Sequence, residues 1–131
     1  MADLFSDEWM KSFQAIWNAD PELKDALAAI DFNSVIGYGM PGEDTPRGYI
    51  NVVQGEIVDA GTYTDQALNW DIRASDANWE KWLAKGVGMA GLGMAVTTGK
   101  MKFLVGDFKS MVKDPRMAGP FIKSFAAMGQ V

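Results

Sequence analysis

The chain is predicted to fold as an α+β protein, with a five-stranded, mostly antiparallel sheet and helices covering one of its faces. Three observations predict this. Apolar residues recur at three- and four-residue spacing up to Ile30, alternate with polar or small residues in runs between Phe32 and Ala74 and again from Met101 to Val105, and return to helical spacing elsewhere. Helix-capping residues stand where the period changes, at Ser6, Asp20, Ser75 and Asp107. At 131 residues the chain is long enough for one continuous core and too short for two domains of ordinary size, so a single domain over 1–131 is expected.

Ser6-Asp7-Glu8 opens the first helix, about Asp7–Asn18, with acidic groups suited to the positive end of the helix dipole. Trp9, Phe13, Ile16 and Trp17 form its apolar stripe. Asp20-Pro21 starts a second helix bearing Leu23, Leu27 and Ile30. Phe32, Ile36, Tyr38 and Met40 then alternate along a strand that runs into the turn Pro41-Gly42-Glu43-Asp44. Strands follow near Tyr49–Val53, Glu56–Tyr63 and Leu68–Ala74, completing an antiparallel meander. In the last of these, Leu68, Trp70, Ile72 and Ala74 are expected inward, and Asn69, Asp71 and Arg73 in water. Ser75 and Asp76 cap a helix that carries Trp79, Trp82 and Leu83 and stops at Gly86. A loose helix should occupy Met89–Thr98, followed by a strand with Met101, Phe103 and Val105 inward and Lys100 and Lys102 outward. Asp107 caps a short helix with Phe108, Met111 and Val112, Asp114-Pro115 starts a turn, and Pro120 begins a final helix with Phe121, Ile122, Phe125 and Met128.

Composition removes most chemistry. The chain has no cysteine and no histidine, which excludes thiol nucleophiles, disulfides, imidazole bases and the usual zinc and iron ligand sets. With 48% hydrophobic and 22% charged residues it falls in the soluble globular range, and the uncharged run between Gly86 and Lys100 is too short to span a bilayer. Met1 to Glu8 lacks a basic n-region and an apolar h-region, so the cytoplasm is the expected location. The net charge of −5 argues against nucleic acid. It is unevenly spread: residues 1–98 carry 6 basic and 15 acidic side chains, and residues 99–131 carry 6 basic and 2 acidic. Lys109, Lys113, Arg116 and Lys123 therefore read either as a solvated helix face or as a patch for an anionic membrane or an acidic partner enzyme.

Ser75-Asp76 followed by Trp79 on a helix, Gly86 closing that helix, and the strand Gly99-Lys100-Met101-Lys102-Phe103-Leu104-Val105-Gly106-Asp107 together resemble the sterol carrier protein 2 family. The resemblance implies an apolar tunnel enclosed between the helices and the curved sheet. It also implies carriage of a lipid, fatty acyl or sterol-like molecule without chemical conversion and without a cofactor. The end Gly129-Gln130-Val131 is not a peroxisomal address, which suggests a stand-alone bacterial-type member. Such a protein would meet a hydrophobic small molecule and, in addition, a partner enzyme, a transient membrane contact or a second copy of itself.

Six of the nine methionines lie between Met89 and Met128, and methionine suits a wall that must fit ligands of varied shape. With the resemblance, the expected lining is Ile36, Tyr38, Trp82, Leu83, Met89, Leu92, Met94, Met101, Phe103 and Met111, with Phe121, Phe125 and Met128 as lid or lining. An empty apolar tunnel of ~400 Å³ would cost up to roughly 10 kcal/mol at ~24 cal/mol per Å³. Such a tunnel is therefore expected to be occupied, collapsed, or plugged by the C-terminal helix. Gly88, Gly91 and Gly93 read either as a yielding wall or as close helix-to-sheet packing. Gly37-Tyr38-Gly39-Met40-Pro41-Gly42 has the letters of a dinucleotide fingerprint, but no helix follows and Glu43-Asp44 would repel a pyrophosphate. Two alternatives stay open. One is a small cavity isomerase or lyase pairing Asp59, Asp65 or Asp71 with Tyr38, Tyr49 or Tyr63. The other is a structural accessory subunit of an enzyme acting on a hydrophobic substrate.

Overall fold

The computed structural model describes residues 3–131; Met1 and Ala2, part of the segment read above for a leader, lie outside them. In chain order the elements are α1 (Asp7–Asn18), α2 (Lys24–Ala28), β1 (Ser34–Gly39), β2 (Gly48–Val53), β3 (Glu56–Thr62), β4 (Trp70–Ala74), α3 (Asp76–Lys85), α4 (Met89–Thr97), β5 (Met101–Val105), α5 (Phe108–Val112) and α6 (Pro115–Met128). The caps act as their chemistry dictates. The hydroxyls of Ser6 and Ser75 accept from the amides of Trp9 and Asn78, and the Asp107 carboxylate accepts from that of Ser110. Gly86 ends α3 at φ 78°, a backbone angle that a Cβ disfavours.

The five strands form one sheet in the order β3-β2-β1-β4-β5. All neighbours are antiparallel except β1 and β4, which run parallel with Tyr38 opposite Ile72. The expected meander therefore ends at β3: the chain leaves the β3 edge and returns to the far side of β1. Asn69 guides this return, since its side chain accepts from the Val35 amide at 2.8 Å while its own amide donates to the Val35 carbonyl at 2.9 Å.

Helices cover one face. Ile36, Tyr38, Ile50, Val52 and Ile72 point into a core with Trp9, Phe13 and Trp17 of α1, Trp79 of α3 and Phe125 of α6, all at most 6% exposed. Trp79 is central to it: its ring stacks on Phe125 with centroids 6.2 Å apart, meets Phe5 edge-on at 5.0 Å, and its indole N–H donates to the Gly39 carbonyl at 3.0 Å.

Part of the other face is not left to water. Gly37 and Gly39 point outward there and lack the side chains that would block the β1–β2 loop; a Cβ on either would come within 2.9 Å of Pro46. Under this loop Arg73 is 1% exposed and Asp71 5%, contrary to the solvated positions expected for them. Arg73 pairs with both carboxylate oxygens of Asp71, at 2.6 and 3.0 Å, and donates from Nη1 to the carbonyls of Met40 and Glu43. Strand alternation identifies the face correctly, but a loop covers this part of it. Leu68 also departs from expectation: it precedes β4 and lies beside Gly37 on this outer face.

Two further corrections have local causes. A register shift between Asp71 and Ile72 places Val105 opposite outward-facing Asp71, so Val105 is 39% exposed instead of inward. The last helix starts at Pro115 under an Asp114 cap, and Pro120 lies inside it rather than at its start. The second helix is shorter than expected because Asp20 to Leu23 form a tight turn before it.

Candidate functional site

Ile36 and Tyr38 alternate on the inner face of β1, and Phe32 stands just before that strand. Met117, Phe121 and Ser124 are four and three residues apart on α6, which puts them on one stripe of that helix. With Trp17 of α1, Leu27 of α2 and Met111 of α5, these stripes bound an interior cavity. Its volume is about 10 Å³, room for about one water molecule, because side chains of α5 and α6 fill the space between helices and sheet.

The lining residues are apolar but for three, of which Trp17 donates its indole N–H to the Gly55 carbonyl at 2.8 Å. Ser124 donates its hydroxyl to the Phe121 carbonyl within α6. Tyr38 is 2% exposed, its ring stacked on Phe5 and edge-on to Phe13 and Trp79, and burial pushes its phenol above the ordinary tyrosine range. No hydrogen bond joins the Tyr38 hydroxyl to a described residue. Tyr38 is one of the residues that line the cavity.

The first half of α6 separates this cavity from a surface groove of about 470 Å³ between α2 and α6. Met117 and Phe121 face inward, while Arg116, Gly119, Pro120 and Lys123 line the groove with Ala26, Ala29 and Ile30 of α2 and the turn that follows it. Lys123 ties the helix to Glu22 and Asp20 at 3.5 and 3.8 Å. Pro120 has no N–H to bond back along the helix, and Gly119 beside it has open space where a Cβ would be.

Of the residues expected to line a pocket, Ile36, Tyr38, Met111 and Phe121 meet at this cavity. Trp82 and Met94 line a separate cleft between α3 and α4. Leu92, Met101, Phe125 and Met128 are buried in the core beside neither space, Leu83 and Phe103 pack against that core half-buried, and Met89 is 39% exposed. Trp17, Leu27 and Phe32 were legible as core stripes, with nothing to separate lining from packing. Met117 becomes legible only when α6 is started at Pro115, which brings it into phase with Phe121, whereas Ser124 is already in phase with Phe121 in a helix begun at Pro120.

The packing bears on two of the readings that the sequence leaves open. A Cβ on Gly88 or Gly93 would meet nothing within 4 Å, and one on Gly91 only Val87 of the same segment, so these glycines do not serve close packing on the sheet. Tyr49 does donate a hydrogen bond to Asp59, but the pair stands on the outer face of β2 and β3, across the sheet from Tyr38. Tyr63 donates to the Gln66 carbonyl, and Asp71 is engaged by Arg73. No group of three or more His, Cys, Asp or Glu side chains able to hold a metal occurs among the described residues.

No protein-family model and no curated protein matches the sequence. Solved structures do. A crystal structure of sterol carrier protein 2 aligns over 98% of this chain and 99% of its own, with a TM-score of 0.77 and 13% identity. A conserved hypothetical protein of Thermus thermophilus, titled as possibly a sterol carrier protein, aligns over 96% of this chain and 90% of its own, with a TM-score of 0.67 and 13% identity. A ubiquinone synthesis protein, UbiJ-SCP2, aligns over 91% and 90%, with a TM-score of 0.57 and 12% identity. The chain thus has the sterol carrier protein 2 fold, an open α+β sheet with helices on one face.

Proposed function

We propose that this protein binds and carries a hydrophobic or amphipathic small molecule beneath α6, without converting it. The observation that carries this reading is the apolar cavity lined by Tyr38, whose hydroxyl has no hydrogen-bond partner among the described residues. An apolar site with a single polar anchor suits a ligand that is mostly hydrocarbon with one acceptor group. In the closed form the space is filled, so binding requires the first half of α6 to yield. Gly119-Pro120 is where that helix lacks a backbone hydrogen bond, and yielding there would join the α2–α6 groove to the cavity. The second half of α6 packs into the core, where Phe125, Ala127 and Met128 are at most 2% exposed.

The fold likeness to sterol carrier protein 2 supports the same reading. The likeness to UbiJ-SCP2, titled as a ubiquinone synthesis protein, favours a second one: that the bound molecule is presented to an enzyme acting on it. In both readings this chain supplies no acid or base. Titration with a fluorescent long-chain fatty acid tests the site. Tyr38→Phe is expected to keep the fold and weaken binding about tenfold, the worth of one net hydrogen bond. Unchanged affinity in a folded variant would remove Tyr38 from the site, and no binding by either protein would count against this ligand class.

A further inference from the structure

We propose that the edge of the five-stranded sheet at β5 takes up an extended, acidic peptide segment as an added strand. The two edges of the sheet differ. At β3 the edge is sealed by α1, whose Asp7, Lys11, Gln14 and Asn18 lie on one helical stripe and make five hydrogen bonds to backbone groups of Ile57, Ala60 and Thr62, at 2.9–3.2 Å. Asn18 alone takes both the amide and the carbonyl of Ile57. Nothing comparable occurs at β5. Among the described residues it pairs with β4 alone, and no side chain bonds to the backbone of Met101–Val105. An edge strand in this state offers a row of amides and carbonyls to another chain.

Charge selects what that chain can be. Residues 81–106 contain four lysines, Lys81, Lys85, Lys100 and Lys102, and no acidic residue. Lys100 and Lys102, at the start of the strand, are exposed and form no ion pair among the described residues. Like charges on neighbouring strands repel, so this edge disfavours a second copy of itself and favours a strand that carries carboxylates. At the other end Leu104 is 57% and Val105 39% exposed, apolar surface for an aliphatic side chain of the incoming strand. The chain turns away at Gly99 and Gly106, both at positive φ, so the open edge is five residues long. The partner is therefore a short acidic and aliphatic segment, held by main-chain pairing and chosen by its charge. The inference stands whatever the cavity holds.

The test is an NMR titration of the full chain, followed at its backbone amides. The probes are the peptide Glu-Val-Glu-Val-Thr-Val, its counterpart Lys-Val-Lys-Val-Thr-Val, and the acidic peptide with every backbone amide methylated. The acidic peptide is expected to shift the β5 amides and slow their hydrogen exchange, and the basic one to bind about tenfold more weakly. The methylated peptide, with no amide left to donate, should not bind. Lys100→Glu with Lys102→Glu, at exposed positions, should reverse the preference between the two peptides with the melting temperature unchanged. The inference is overturned by unshifted β5 amides, equal binding of the two peptides, binding that survives methylation, or shifts centred on another element. Self-association of the chain alone through β5 would place a second copy there and overturn it as well.

Discussion

Replacing Arg73 by methionine should destabilise the protein more than almost any other single change outside the aromatic core. Arg73 is 1% exposed and makes four hydrogen bonds: two to the Asp71 carboxylate, one to the Met40 carbonyl and one to the Glu43 carbonyl. Methionine fills much of the same volume but leaves the Asp71 charge buried with no cation. Breaking one side of a buried pair typically costs about 3–5 kcal/mol. The β1–β2 loop also loses the donors that hold it over the sheet. Against a total stability of about 5–15 kcal/mol, the loss is a large fraction. It should lower the melting temperature by roughly 10–20 °C in a domain of this size. The assay is urea unfolding of the wild type, Arg73→Met, Asp71→Leu and the double variant. The double variant removes both charges and should recover at least half of the Arg73→Met loss. A single-variant cost below about 1 kcal/mol, the range of exposed pairs, would refute the reasoning. So would a double variant whose loss equals the sum of the singles.

Gly93→Ala should raise stability by about 1 kcal/mol, read in a thermal melt, because the added methyl meets open space and the helix gains a better former. Alkaline titration should show the linkage of two tyrosines to folding. Burial, with the Asp59 carboxylate added to it, pushes the Tyr49 phenol up to about 12, and burial alone raises Tyr38. Both favour their protonated form in the folded state more than in the unfolded one. Their contribution is thus fully present below the unfolded tyrosine value near 10 and is lost as pH rises from there through about 12. Phenolate absorbance of these two should appear together with unfolding, and independent early ionisation of both would contradict the burial.

The sequence-to-structure correspondence is strongest where the signal is local. Ser6 and Ser75 cap the helices expected of them because a hydroxyl before an amphipathic run needs only neighbouring amides to act on. The parallel pairing of β1 with β4 was not legible, because alternation reveals which face a residue takes and nothing about which strand lies alongside. For the same reason Asp71 and Arg73 were assigned to the correct face and the wrong environment: burial there comes from a loop that crosses the sheet over Gly37 and Gly39. At the cavity, Ile36, Tyr38, Met111 and Phe121 were anticipated, whereas Trp17, Leu27 and Phe32 share the spacing of ordinary core. Val105 and Pro120 depart from expectation through a register shift and a helix that runs through a proline, neither of which has a residue signature of its own.

Native mass spectrometry of the protein purified gently from its own host tests the central claim most directly. A carrier with a closed cavity that opens through α6 should show a discrete non-covalent adduct, released on denaturation and of the mass of a lipid or related apolar molecule. A clean ligand-free mass that persists after incubation with lipid extracts of that host would contradict it.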